Sequence, residues 1–453
     1  GGLYNSVIRA LQHYGLADND GNSRIPIYSL TVTYPLVDSE IVEFAIGKKN
    51  VLVVEEGHPD YIEQAIHTAL RKADVQTKVH GKGPLPMGGQ YNADVVQNGI
   101  AKWLAEVKPA GVDVDRAQAR PGVIGSIKGK AIGYLGGPVP MRPPSFCTGC
   151  PERPVFSAIK LVEREQGPRH IAADIGCHSF ATFEPFSQGH SILGYGMSLA
   201  SRAGVSPAMG KRVMAVMGDG GFWHNGVVTG VQSALFNGDD AVLVIMKNGY
   251  TSATGTQEII STPDEEAKAS ATDKTRSLVH DNQVIEKTLE GMGVRWMRTV
   301  DSYRVAEMRA TIEEAFTTGD AGLKVIVAEG ECQLERQRRV KPWRAGLERE
   351  RKRHVRVKYG VDEDTCSGDH SCIRLSGCPT LSVKDSGDPL KVDPVATVLD
   401  GCVGCGLCGE NAHAATLCPS FYRAEVIRHP GWRDRALAAV RAAFGKALLS
   451  GSA

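Results

Sequence analysis

Val213-Met214-Ala215-Val216-Met217-Gly218-Asp219-Gly220-Gly221-Phe222-Trp223-His224-Asn225-Gly226 and the later run Ala241-Val242-Leu243-Val244-Ile245-Met246-Lys247-Asn248-Gly249-Tyr250 decide the reading of this chain. Each opens on an apolar run of strand length, and each run ends in a polar, glycine-bearing turn. Buried parallel strands read as unbroken apolar runs of this kind. In a parallel sheet both turns fall at the carboxyl ends of strands, so Asp219 and Asn248 can face a single ion. A carboxylate, an amide oxygen and a backbone carbonyl make a hard oxygen set, suited to Mg²⁺ that also holds phosphate oxygens. The bland alternative is two ordinary turns with polar tips. An isolated Gly-Asp-Gly occurs widely by chance, so the matched placement of Asn248 carries the argument.

Outward from this pair, strands alternate with helices. Strands are expected at 170–174, 213–217, 242–246 and 324–328. Helices are expected at 192–203, 227–236 and 303–316. That pattern predicts one doubly wound α/β domain. An earlier α/β layer is expected from strands at 29–33 and 51–55 and helices at 61–72 and 93–106. The Gly- and Pro-rich stretch 121–144 marks a linker between the two. Residues 336–358 are densely basic around Trp343 and read as a tether or a helix against a neighbour rather than a nucleic-acid patch. The chain has 453 residues, 42% hydrophobic and 23% charged, with a formal net charge of +1, which favours neither a nucleic-acid nor a membrane partner. No apolar run approaches the roughly 18 residues of a transmembrane helix, and no signal peptide is seen. A cytoplasmic location is therefore expected. The chain opens on Gly1-Gly2 with residues 6–13 already helical in pattern, and so reads as a fragment or a processed piece.

Eleven cysteines are many for a cytoplasmic protein, and metal or redox roles are favoured over disulfides. Four lie between Cys147 and Cys332, and seven between Cys366 and Cys418. Cys147-Thr148-Gly149-Cys150 alone suits a redox pair or half a zinc site. Cys177 closes a strand and Cys332 follows one, so these four turn cysteines could meet at one sheet edge. Cys402-Val403-Gly404-Cys405-Gly406-Leu407-Cys408 is the C-x₂-C-x₂-C run of bacterial ferredoxins, and Cys418-Pro419 supplies the closing Cys-Pro after nine residues rather than three. An earlier half-motif runs from Cys366 through Cys372 to Cys378-Pro379, with Asp369 where the middle cysteine would stand. In two-cluster ferredoxins the Cys of each Cys-Pro crosses to the other cluster. Cys402, Cys405, Cys408 and Cys378 would then hold one [4Fe–4S] cluster. Cys366, Cys372 and Cys418 would hold another, with Asp369 or nothing as fourth ligand, as a carboxylate-ligated or three-iron cluster or a standard cubane. Four, four and three account for all eleven.

Gly218–Gly226 and Asn248-Gly249-Tyr250-Thr251-Ser252-Ala253-Thr254-Gly255-Thr256-Gln257 resemble the indolepyruvate:ferredoxin oxidoreductases, especially the long fused proteobacterial form, within the 2-oxoacid:ferredoxin oxidoreductases. The resemblance spans nearly the whole chain and is weakest after Tyr422. It implies a transketolase-like, doubly wound thiamine-diphosphate domain at 140–335. Before it comes an incomplete transketolase C-terminal-like α/β domain at 1–120, carried by Val53-Val54-Glu55-Glu56-Gly57-His58-Pro59 and Gly81-Lys82-Gly83-Pro84-Leu85-Pro86. After it come a basic linker at 336–360, a small two-cluster ferredoxin-like iron–sulfur domain at 361–422 and a helical segment at 423–453. By the same resemblance Asp219, Asn248 and the Tyr250 carbonyl would ligate Mg²⁺. Gly176, His178, Ser179, Gly218, Gly220 and Thr251 would line the cofactor, with His224 and Gln257 on the catalytic side. Cys147, Cys150, Cys177 and Cys332 would hold a further [4Fe–4S] cluster, zinc being the alternative for four thiolates. The implied reaction is thiamine-dependent oxidative decarboxylation of an aryl 2-oxoacid with coenzyme A, giving an acyl-CoA and CO₂, with electrons leaving through the clusters to ferredoxin. Oxidation of pyruvate, a branched-chain oxoacid or phenylglyoxylate, and a pure electron-transfer subunit, are the alternatives. A homodimer is expected. No segment reads as the pyrimidine-binding domain or the small subunit of such enzymes, so this chain alone is expected to bind clusters but turn over little.

Overall fold

The structure is a computed structural model and describes residues 2–139, 144–262 and 283–450. The chain divides into two compact units, Gly1–Met141 and Arg142–Ala453.

In the first unit β1 (Asn50–Leu52) and β2 (Lys78–His80) pair in parallel. The expected helices are there as Tyr61–Lys72 and Ala93–Val107, the latter capped by Asn92, whose side chain accepts from the Val95 amide. The strand expected at 29–33 is absent. Those residues run as irregular chain between Pro26 and Pro35, and the sheet beside them, two strands wide, offers them no partner. The expected linker at 121–144 is also largely ordered, because the helix Val114–Leu135 runs through its first half. The two motifs of this unit meet each other: the Lys82 ammonium donates to the Gly57 carbonyl at 2.8 Å and to the Tyr91 hydroxyl at 3.0 Å.

The second unit is built on six parallel strands. These are β3 (Ile171–Ala173), β4 (Ser191–Ile192), β5 (Met214–Gly218) and β6 (Val242–Lys247), followed after the small hairpin β7 (Tyr250–Thr251) and β8 (Gln257–Glu258) by β9 (Trp296–Asp301) and β10 (Lys324–Glu329). Their order is β4-β3-β5-β6-β10-β9. Side chains alternate between two cores, as strand geometry requires. Val216, Val244, Met246, Ile326 and Ala328 face one core, against the helices Glu152–Gln166 and Val305–Thr317. Ala215, Met217, Leu243, Ile245, Val325 and Val327 face the other, against Leu199, Phe222 and Val231. Both faces are covered, which is why the strand sequences lack polar alternation. β5 and β6 are neighbours with Gly218 opposite Met246, and that register sets Asp219 beside Asn248.

The basic stretch expected as a linker holds a helix, Gln333–Arg349, and then β11 (His354–Val361). β11 pairs antiparallel with β14 (Phe421–Arg428), which also occupies the start of the segment expected to be helical; the helix there is Trp432–Ser450. Between them lie β12 (Leu381–Lys384) and β13 (Val395–Val398), an antiparallel pair, and the helices Ser371–Ser376 and Leu407–Thr416. The order strand, cysteines, helix, strand thus occurs twice. This cysteine-rich part shares a core with the six-stranded domain: Leu375 and Leu407 pack among Phe156 and Ile159. The Ser157 hydroxyl donates to the Leu375 carbonyl at 2.6 Å, and the buried Asn411 amide donates to Ser157 at 3.2 Å. Among the described residues no helix is long and apolar enough to cross a membrane.

Ile245, fully buried on central β6, tests the core directly. Ile245→Ala is expected to lower unfolding stability by about 3 kcal/mol through lost burial and a residual cavity, read as a lower denaturant midpoint; an unchanged midpoint contradicts the packing described.

Candidate functional site

Asp219 sits where β5 passes into a helical run of 219–237, whose segment Phe222–Gln232 is wound as a π-helix. One carboxylate oxygen accepts from the Asn248 and Gly249 amides at 2.8 and 2.6 Å, and the other accepts from the Gly220 amide at 2.9 Å. Burial nonetheless raises its pKa to about 7, against the pull of those amides. Asn248 is buried too. Its Oδ1 accepts from the Tyr250 amide at 3.2 Å and the Ser252 hydroxyl at 2.9 Å, and its Nδ2 donates to Glu152 Oε1 at 3.1 Å.

Glu152 and the depth of His178 were not legible in the motifs. Burial, and then the Asp219 charge, push Glu152 up to about 8, while Asn248 pulls it down. Burial drives His178 down to about 4. The two approach at 3.7 Å, but at neutral pH a protonated carboxyl faces a neutral imidazole, so the contact is not an ion pair. Glu152 Oε2 and both His178 ring nitrogens are buried without hydrogen-bond partners. A Cβ added at Gly218 would lie 3.6 Å from the His178 ring, so these orphaned groups flank the Gly-Asp-Gly turn. Polar groups are seldom buried without partners, and a set of them beside a carboxylate raised by burial fits a bound polar group with a cation.

The same crowding fixes the glycines. Gly196 has φ +77°, and a Cβ there would stand 2.6 Å from the Gly221 carbonyl oxygen. Its amide donates to both Asp174 oxygens at 2.7 and 2.8 Å. Asp174, completely buried, is raised to about 6 by that burial. A Cβ on Gly220 would strike the Thr251 and Tyr195 hydroxyls, which lie 3.3 Å apart. Gly176 amide and Ser179 hydroxyl bond at 3.1 Å, closing the turn that carries His178.

His224 is exposed and stacks obliquely on Tyr195 with ring centroids 5.0 Å apart. Gln257 is exposed as well and is tied within its own hairpin, donating to the Thr254 carbonyl at 3.0 Å and accepting from the Thr254 hydroxyl at 2.7 Å. The structure therefore does not bring Gln257 together with Asp219, Asn248 and Glu152 by any hydrogen bond.

Every cysteine is a free thiol. Burial raises Cys177, and after Glu152 the neighbouring Cys150, Cys332 and Cys147 raise it further. Burial raises Cys408, with Cys405, Cys378 and Cys402 adding to it. Burial takes Cys372 to about 11, with Cys418, Cys366 and Asp369 contributing. These neighbourhoods group the same cysteines as the two tail sets expected from spacing and the one expected from resemblance. Among the described residues no three His, Cys, Asp or Glu side chains close around one ion-sized point. Asp369 lies near its set, but its carboxylate accepts from the Ser371 amide at 3.1 Å and the Ser371 hydroxyl at 2.5 Å. Neighbouring thiols, most of them buried or half-buried and none in a disulfide, fit thiolate-held clusters.

Residues 174–328 match the family described as thiamine pyrophosphate enzyme, C-terminal TPP binding domain. In this stretch the chain is similar to the C-terminal domain of thiamine-diphosphate enzymes, an α/β fold. Among curated proteins the chain is similar to indolepyruvate oxidoreductase subunit IorA of Archaeoglobus fulgidus, 29% identical over 399 residues, covering 88% of this chain and 56% of that one. It is 27% identical over 428 residues to the same-named subunit of Methanothermobacter thermautotrophicus, covering 92% and 59%. The resemblance to the thiamine-diphosphate-binding part of the indolepyruvate oxidoreductases is thus borne out, while the chain spans less than three-fifths of the length of these relatives. A solved 2-oxoglutarate:ferredoxin oxidoreductase from Magnetococcus marinus, with 2-oxoglutarate, coenzyme A and succinyl-CoA bound, aligns with a TM-score of 0.36 and 17% identity over 43% of this chain and 66% of that one.

Gly196→Ala is expected to lower the melting temperature and destabilise by about 2 kcal/mol or more, since it adds strain at positive φ and a clash with Gly221. A melting temperature equal to that of the parent contradicts the close approach described here.

Proposed function

We propose that this chain is the thiamine-diphosphate- and cluster-carrying part of an aryl-2-oxoacid:ferredoxin oxidoreductase of the indolepyruvate type. The observation that carries it is a buried acidic site of Asp219, Asn248 and Glu152 in the same compact unit as three sets of neighbouring thiols. A thiamine enzyme that only decarboxylates needs no thiolate sets, whereas one that oxidises its substrate needs a route out for single electrons.

Asp219, the Asn248 side-chain oxygen and the Tyr250 carbonyl would hold Mg²⁺. Gly218 and Gly220 leave the room beside it. When bound, thiamine diphosphate supplies the carbanion and the electron sink for loss of CO₂ from a 2-oxoacid. Gly176, His178, Ser179 and Thr251 line its place. Neutral His178 and protonated Glu152 are proton-bearing groups held out of water, available to hydrogen-bond whatever enters. His224, exposed beside Tyr195, sits on the substrate side, with Gln257 on the neighbouring hairpin.

Cys147, Cys150, Cys177 and Cys332 would hold the [4Fe–4S] cluster nearest the diphosphate, since Glu152 neighbours both Cys177 and Asp219. Cys378, Cys402, Cys405 and Cys408 would hold the next. A Cβ added at Gly149 would stand 2.5 Å from the Val403 side chain, so the Cys147–Cys150 and Cys402–Cys405 loops abut. Cys366, Cys372 and Cys418 would hold the outermost, with Asp369 beside it. Ferredoxin is the acceptor, coenzyme A takes the acyl group, and the pyrimidine-binding domain and small subunit come from elsewhere in a dimeric enzyme, so the isolated chain turns over little.

The test is anaerobic mixing of the complete enzyme with coenzyme A and a 2-oxoacid, following the visible iron–sulfur absorbance. Indolepyruvate is expected to bleach it faster than pyruvate does. Asp219→Asn is expected to abolish bleaching while iron content stays the same. Preference for pyruvate overturns the aryl assignment, and bleaching at full rate by Asp219→Asn overturns the role of the site.

A further inference from the structure

Arg153 follows Glu152 on the first turn of the helix Glu152–Gln166 and is completely buried. Its NH1 donates to the Ser376 carbonyl at 2.9 Å, and its Nε and NH2 have no hydrogen-bond partner. Among the described residues no carboxylate lies within ion-pair distance of it; the adjacent Glu152 carboxyl is turned to Asn248 and raised to about 8 by burial and then by Asp219. A guanidinium is always charged, and burying that charge without an anion carries a heavy desolvation cost. Some anion must therefore compensate it in the working protein.

Sulfur surrounds it. Against the burial that raises Cys147 and Cys150, the Arg153 charge acts on both. It acts in the same sense on Cys405, also raised by burial. Cys378 stands two residues after Ser376, whose carbonyl Arg153 holds at 2.9 Å, and it feels the same charge. Cys147 and Cys150 belong to one thiol set, and Cys378 and Cys405 to the next. The two loops touch through Gly149 and Val403, and the Tyr303 hydroxyl donates to the Gly149 carbonyl at 2.5 Å across the same junction.

We propose that Arg153 is the shared counter-charge of two adjoining clusters, a positioning residue that stabilises their reduced states as one electron passes from the Cys147/Cys150/Cys177/Cys332 set to the Cys378/Cys402/Cys405/Cys408 set. This rests on the cluster assignment proposed above. Each transfer oxidises the first cluster by one electron, reduces the second by one, and needs no proton. Cluster potentials follow net charge and hydrogen bonding at the sulfurs, so a fixed cation between two anionic centres raises both potentials.

The test is redox titration with EPR detection on the full chain, reconstituted anaerobically with iron and sulfide, as wild type, Arg153→Lys and Arg153→Gln. Gln keeps a donor for Ser376 without the charge, and Lys keeps the charge without the fork. At matched iron content Arg153→Gln is expected to show lower midpoint potentials for both clusters, with Arg153→Lys near wild type. Failure of Arg153→Gln alone to assemble the two clusters supports the same conclusion. Potentials in Arg153→Gln equal to wild type, or equal damage in both variants, overturn it in favour of a role in shape alone. A wild-type chain that takes up no iron overturns the cluster assignment itself, which is a distinct result.

Discussion

One buried helix start holds the working parts of this molecule together. The helix Glu152–Gln166 begins two residues after Cys150, and its first two residues are both buried and ionisable. Glu152 reaches toward Asn248 and His178 at the turns of β5 and β6. Arg153 reaches the Ser376 carbonyl in the cysteine-rich part. Farther along, Ser157 ties the same helix to Leu375 and Asn411. An acidic and a basic side chain set side by side in an interior would ordinarily pair with each other. Here they point to different places, Glu152 to the turns of the sheet and Arg153 to the cysteine-rich part, and that division joins the acidic site and the thiol sets through one helix.

The frame explains why so many groups at the site have shifted proton affinities. Asp174, Asp219 and Glu152 are all driven upward, and His178 downward, by the same cause, removal from water. Burial of this density costs stability unless something is bound. The glycines at 176, 196, 220 and 221 are packed so tightly that a Cβ at any of them would meet a neighbour within 2.6 Å. The surroundings are therefore preorganised and leave the chain little freedom to relax around an empty site.

The sequence made the doubly wound domain legible because buried parallel strands have a distinctive signature. Val242–Met246 and Val325–Ala328 are apolar throughout, and the glycine-bearing turns that follow mark the carboxyl ends. Spacing suggested the two cysteine sets of the tail, since the closing Cys-Pro of each half crosses to the other, whereas the set of Cys147, Cys150, Cys177 and Cys332 was expected from resemblance. The strand expected at 29–33 failed because β-branched residues signal a strand only where a partner edge exists, and that unit offers two short strands. Of the two readings of the basic stretch, tether or helix against a neighbour, the structure shows a helix over most of it, and spacing could not choose because a basic surface looks alike on both; Arg338 donates to the Gly255 carbonyl at 2.8 Å. Glu152 and Arg153 were missed because nothing local distinguishes a buried charge from a solvated one. Only the tertiary packing of their helix between the sheet and the cysteine-rich part reveals it.

The central claim is that eleven thiols form three cluster sites within one compact unit. It is tested most directly by metal and acid-labile sulfide analysis of the anaerobically purified chain, with low-temperature EPR of the reduced protein. The account predicts about eleven or twelve iron atoms per chain, matching sulfide, and three mutually interacting signals. Iron near eight, or zinc in its place, contradicts the assignment of Cys147, Cys150, Cys177 and Cys332, and with it the electron route past Arg153.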